Sequence, residues 1–159
     1  AIPSRRFGIE LFFDELEKWK ADKTYQTNFI CSTDSFVTKT EYILRYFCKL
    51  ADIPTFIDKS KNGHGVKNEK NIYELLRSLE NSTENPTGFL EDHRKFIEYI
   101  LASKMVNNLR HRVSHGLMDA QEYTVTNPIL LLNIILILST YTFKAFTYES
   151  NPTTNKSTK

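Results

Sequence analysis

ILLLNIILIL, residues 129–138, is apolar at nine of its ten positions and admits two readings, a membrane span or a helix packed in a protein interior. Crossing a bilayer takes roughly 20 apolar residues. This run is interrupted at Asn133 and followed by Ser139, Thr140 and Thr142. A short helix that is apolar on most faces belongs at the centre of an all-α domain. Asn127-Pro128 just before it suits a helix start, a cap followed by proline in the first turn. We therefore expect a core helix and no membrane association.

The rest of the chain is compatible with that helix. Ile9, Phe12, Phe13, Leu16 and Trp19 have helical spacing over residues 7–20, and Phe36, Ile43, Phe47 and Leu50 have it over 34–50. Asp34 is placed to cap the second helix, and Pro54 closes the region. DKSKNGHGVKNEKN, residues 58–71, is charged and lacks apolar periodicity, which predicts a surface loop. A short helix follows over 71–80, then the turn-rich NSTENPTG, residues 81–88. Helix resumes at Phe89 and extends, with room for a break, to His115, where Gly116 is placed as a C-terminal cap. No strand is predicted; Tyr123-Thr124-Val125 is at most a scrap of extended chain.

The expected architecture is an all-α bundle of five to six helices. At 159 residues the chain is one domain with enough length to bury a core. We assign residues 1–147 to that domain and residues 148–159 to a disordered polar tail. The chain begins at Ala1, with no signal peptide pattern after it, which suggests a fragment of a longer protein with a further domain upstream. A net charge of +2 is too small for general nucleic-acid affinity, so any such contact needs a local patch. Cys31 and Cys48 have neither metal-ligand spacing nor a disulfide framework around them, although the sequence leaves a bond between them open. A reducing compartment follows, the cytoplasm or the nucleus.

NNLRHRVSHGLM, residues 107–118, holds two of the seven arginines and two of the four histidines. Taken as one helix from Ala102 to Leu117, it places Ala102, Val106, Leu109, Val113 and Leu117 on one arc about 80° wide. Lys104, Asn107, Arg110, His111, Ser114 and His115 occupy another arc about 140° wide, and Arg112 lies apart. The plain interpretation is a solvated basic helix face near the negative end of the helix dipole. That accounts for Lys104 and Arg112 better than for two histidines, which are poor helix formers. The functional interpretation is a phosphate site: Arg110 supplies a fork of donors, and His115 is the residue type that titrates near neutral pH. No metal ligands accompany them, and no cofactor is expected.

The segment Arg110-His111-Arg112-Val113-Ser114-His115 resembles the signature of HEPN domains, arginine, a polar residue, several others and then histidine. With Asn108-Leu109 before it and Gly116-Leu117 after it, the stretch is most similar to a largely uncharacterised subgroup that carries R-N-x-x-x-H-G. The strong apolar helix downstream is also similar, so the resemblance covers residues 88–143. His111 stands where that subgroup has asparagine. The resemblance implies a HEPN-like bundle that forms a homodimer and cuts RNA without metal at the shared cleft. Carried over, Arg110, His115 and His111 would be catalytic, and Lys104, Asn107, Arg112 and Ser114 would contact substrate. RNA or a nucleotide would be the partner. Members of the family act in RNA decay and in antiviral or toxin-type defence, while others bind nucleotides or regulate a neighbouring domain without cutting.

Overall fold

The structure, a computed structural model, describes residues 7–58, 67–81, 88–103 and 108–141. These form an all-α bundle of six helices: α1 (Phe7–Ala21), α2 (Ile30–Leu50), α3 (Ile72–Glu80), α4 (Glu91–Leu101), α5 (Leu109–Ser114) and α6 (Thr126–Ser139). A small hairpin, β1 (Phe56–Asp58) with β2 (Lys67–Glu69), sits between α2 and α3. Among the described residues, no helix is long and apolar enough to cross a membrane.

The longest helix, α2, is the hub, with α1, α3, α5 and α6 packed around it. It buries Phe36, Leu44 and Cys48, which meet Leu75, Leu76 and Leu79 of α3, Ile97 and Leu101 of α4, and Leu131, Ile134 and Leu138 of α6 in one core. Close approach of α1 depends on Gly8, where a Cβ would run into the Ser35 side chain. Glu15 fixes the α1–α2 connection from beneath. Its carboxylate accepts hydrogen bonds from the Asn28 N–H at 2.7 Å, Lys18 Nζ at 2.9 Å and the Tyr25 hydroxyl at 3.2 Å. Burial works to raise the Glu15 carboxyl, but these bonds outweigh it and hold the group below the usual range.

Local chemistry explains where the helices start and stop. At the head of α3 the Asn71 side chain accepts from the Glu74 N–H while Glu74 accepts from the Asn71 N–H, a reciprocal capping box. Asp34, expected as the cap of α2, instead lies inside the helix, which starts four residues earlier at Ile30. There the Asn28 side chain takes the Ile30 N–H, and buried Phe29 anchors the entry.

Three further expectations change. The ends of the anticipated 58–71 loop belong to a hairpin, with Phe56 opposite Glu69 and Asp58 opposite Lys67. Every residue of β2 is exposed, so no apolar alternation marked it. Backbone pairing and Arg45, which reaches the Lys70 carbonyl at 3.1 Å and Glu69 at 3.3 Å, hold it to α2. Tyr123-Thr124-Val125 forms no strand, as expected. The helix apolar on all sides, α6, is not central: Ile129 and Leu136 remain exposed at its outer side while Leu131, Ile134 and Leu138 face inward. Finally, Ala102–Leu117 is not one helix. The first part, α4, ends at Leu101, and Asn108 takes a left-handed conformation (φ 37°, ψ 45°) before α5 begins. On a continuous helix Leu101 and Leu109 would stand about 80° apart; the break lets both reach the core, at 0% and 2% exposure. The proposed tail, residues 148–159, lies outside the described residues.

Candidate functional site

A six-residue helix has too few internal hydrogen bonds to persist alone. Three devices hold α5. Leu109 is buried, a contribution of about 1.5–3 kcal/mol. Asn108 supplies the left-handed entry that asparagine tolerates better than most residues. At the far end Gly116, at φ +62°, reverses the chain: its N–H donates to the Val113 carbonyl and the Leu117 N–H to the Arg112 carbonyl. This is a Schellman cap, with glycine at the position expected for it. One consequence is that Leu117 leaves the buried stripe predicted for it and stands 56% exposed.

The cap fixes where the charged groups go. Arg110 turns toward α2, where its Nε donates to Glu41 Oε2 at 3.1 Å. The other oxygen of Glu41 accepts from Arg45 Nη2 at 2.8 Å. Glu41 is largely buried between the two arginines. Burial pushes its carboxyl up, but the bonds from Arg45 and Arg110 prevail and keep it below the usual range, so it stays an anion. Among the described residues neither terminal nitrogen of Arg110 has a partner, which leaves that edge of the fork for an external oxyanion.

His111 and His115, one turn apart, lie against each other with ring centroids 4.4 Å apart at 52°. Both are exposed, as is Ser114. His115 is the C-cap residue itself, so its backbone is set by the same turn that places Gly116. Arg112 pairs with Glu122, whose second oxygen accepts from the Asp119 N–H at 2.9 Å. The Arg112 hydrogen bond leads the causes that hold the Glu122 carboxyl down. Arg112 thus ties α5 to the following turn. Lys104 and Asn107 lie outside the described residues.

The structure therefore brings the two histidines together and commits Arg110 to Glu41, while no hydrogen bond joins Arg110 to His115 among the described residues. Residues five apart on a helix point about 140° away from each other. Within one chain, Arg110 faces α2 and His115 faces solvent; a phosphate would have to reach both, or one from each of two copies. Sequence reasoning missed Glu41. Its spacing from Arg45 marks an ordinary helical ion pair, and nothing local signals a partner 69 positions away. His93 is half-buried and structural: its Nδ1 lies 2.6 Å from the Tyr141 hydroxyl, which also accepts from the Leu90 N–H. Among the described residues no three histidine, cysteine, aspartate or glutamate side chains gather as a metal site. Cys31 is exposed and Cys48 buried, and both are free thiols. No family model, no curated protein and no solved structure matches this chain.

Proposed function

We propose that this chain is a HEPN-type domain acting as a metal-independent endoribonuclease, with the active site at a homodimer cleft. The observation that carries this reading is the order Arg110-His111-x-x-x-His115-Gly116 on one capped turn of helix, with an oriented arginine and two exposed imidazoles. Neutral His115 takes the proton of a 2′-hydroxyl as its oxygen attacks the adjacent phosphorus. The bond from phosphorus to the 5′-oxygen breaks, and that oxygen receives a proton from a second imidazole, His111 or the His115 of another copy. The products are a 2′,3′-cyclic phosphate and a 5′-hydroxyl. Arg110 stabilises the charge that builds on the phosphate oxygens, its fork held in aim by Glu41. Ser114 lies beside this pair, and Lys104, Asn107 and Arg112 remain assigned to the RNA backbone, Arg112 after release from Glu122. Exposed Ile129 and Leu136 on α6 and exposed Leu117 beyond α5 offer aliphatic surface that a second copy would cover. The cytoplasm is the expected compartment, and RNA decay or antiviral defence the expected setting.

The second reading is a non-catalytic module that binds a nucleotide phosphate or regulates a further domain. The ion pair between Arg110 and Glu41 favours it, because an arginine whose charge a carboxylate already compensates stabilises less of the charge that builds in a transition state. The experiment that separates them is analysis of RNA ends after incubation with the protein. Cyclic phosphate ends, with 2′-O-methyl RNA left intact, support the nuclease. Products ending in 3′-hydroxyl, or equal cutting of 2′-O-methyl RNA, would contradict this chemistry.

A further inference from the structure

Next to the Glu41–Arg45 stripe on α2 runs a second stripe of different composition. Lys39, Tyr42, Tyr46 and Lys49 follow at intervals of three, four and three residues, which puts them on one face of the helix. The two rings stand side by side, nearly parallel at 5°, with centroids 6.3 Å apart. They are 53% and 47% exposed. A hollow flanks them on each side. One, of about 630 Å³, is walled by Tyr42, Arg45, Tyr46 and Lys49 and by the half-exposed Phe56 of the hairpin. The other, of about 450 Å³, lies toward α1 and is bordered by Lys39 and Ile43 with the same two tyrosines.

We propose that this Lys-Tyr-Tyr-Lys ridge is a docking surface for single-stranded RNA, with bases stacked on the two rings and the flanking phosphates on the two lysines. Its ligand class rests on the reading of the domain as RNA-directed; its placement rests on the ridge alone. Exposed aromatic faces accept any base, and cations at both ends complement a backbone that carries one negative charge per nucleotide. The lysines are ten residues apart, about 15 Å along the helix, enough for a few nucleotides. Asp52 is the acidic residue at the edge of the larger hollow, and Arg45 is already paired with Glu41 and Glu69, so the two lysines carry the attraction. The aliphatic residues exposed on α6 form a different kind of surface, suited to protein; the ridge pairs rings with positive charge. Because Glu41 precedes Tyr42 and grips Arg110, RNA lying on the ridge would run alongside the motif.

The test is fluorescence anisotropy of a labelled eight-nucleotide single-stranded RNA, measured in the His115→Ala background so that the probe survives. Tyr42→Ala with Tyr46→Ala should weaken binding at least tenfold, since each stacked base is lost with its ring. Tyr42→Phe with Tyr46→Phe keeps the rings and should stay within threefold of the parent, which excludes misfolding as the cause. Lys39→Ala with Lys49→Ala should lower the slope of log affinity against log salt by about 0.7 per lysine. A duplex of the same sequence should bind more weakly, because its bases are already stacked. Several results would overturn the ridge: no binding by the parent, affinity unchanged in the double alanine variant, a mononucleotide bound as tightly as the octamer, or loss of self-association in place of RNA binding. Failure of the nuclease reading is separate. Tyrosine-dependent binding without any cleavage keeps the ridge, whereas cleavage with affinity indifferent to the tyrosines keeps the nuclease.

Discussion

Replacing Gly116 with alanine isolates the backbone contribution of the turn that sets His115. A Cβ built there meets nothing within 4 Å, so no packing change enters. The residue sits at φ +62°, and an L side chain in the left-handed region costs about 1–2 kcal/mol. With a urea dependence of about 1–3 kcal/mol per molar, the unfolding midpoint should drop by roughly 0.3–2 M. Gly88, at φ +67° and equally uncrowded, is an internal control: its alanine variant should lose similar global stability without touching α5. The local signature belongs to Gly116 alone. Its own N–H and that of Leu117 close the cap, so both amides should exchange faster in the Gly116→Ala protein and neither in Gly88→Ala. Asparagine at 116 should recover part of the loss. A Gly116→Ala protein as stable as wild type, with unchanged exchange at Leu117, would refute the assignment of the cap.

Three other outcomes follow from the packing. Arg94 is 6% exposed and its guanidinium is shared between Glu80 of α3, 2.8 Å away, and Glu98 of α4; Arg94→Ala strands two carboxylates and should cost about 3–5 kcal/mol in urea unfolding, more than Arg94→Met with Glu80→Gln. Cys48 is buried, which pushes its thiol up to about 11, so at neutral pH one thiol per native chain, Cys31, should react rapidly with an alkylating reagent and the second only on unfolding. Glu15 has a depressed carboxyl in the folded chain, so its contribution is present above the ordinary carboxylate range and is lost as pH falls through the folded value; Glu15→Gln should lower stability at neutral pH and flatten its decline in acid.

Part of the fold could be read from periodicity: Phe12 of α1 and Phe36 and Phe47 of α2 are buried where their spacing places them, whereas Ile9, Phe13 and Trp19 of the same α1 pattern stay exposed. What escaped has physical causes. The hairpin is held by backbone pairing and by Arg45, and the Lys67–Glu69 strand carries no apolar alternation to reveal it. The run EDHRK at the head of α4 reads as a solvated charged patch, yet Arg94 is interior because Glu80 of α3 and Glu98, one turn on in α4, neutralise it. The helix α6 is apolar all round, and composition cannot say which of its sides the bundle leaves uncovered. At the candidate site, the sequence did not reveal how the side chains group. The spacing put Arg110 and His115 on one broad face, but the break at Asn108 and the grip of Glu41 aim the arginine at α2. Such a long-range partner is visible only once the helices are packed.

The ribonuclease assignment is tested most directly by a denaturing-gel assay of mixed RNA with EDTA present. Wild type, Arg110→Ala and His115→Ala would be compared at concentrations spanning self-association. The account predicts cleavage by wild type and a loss of at least a hundredfold in each variant, with both still folded by circular dichroism. Cleavage undiminished in both variants, or no cleavage by wild type at any concentration, would contradict it.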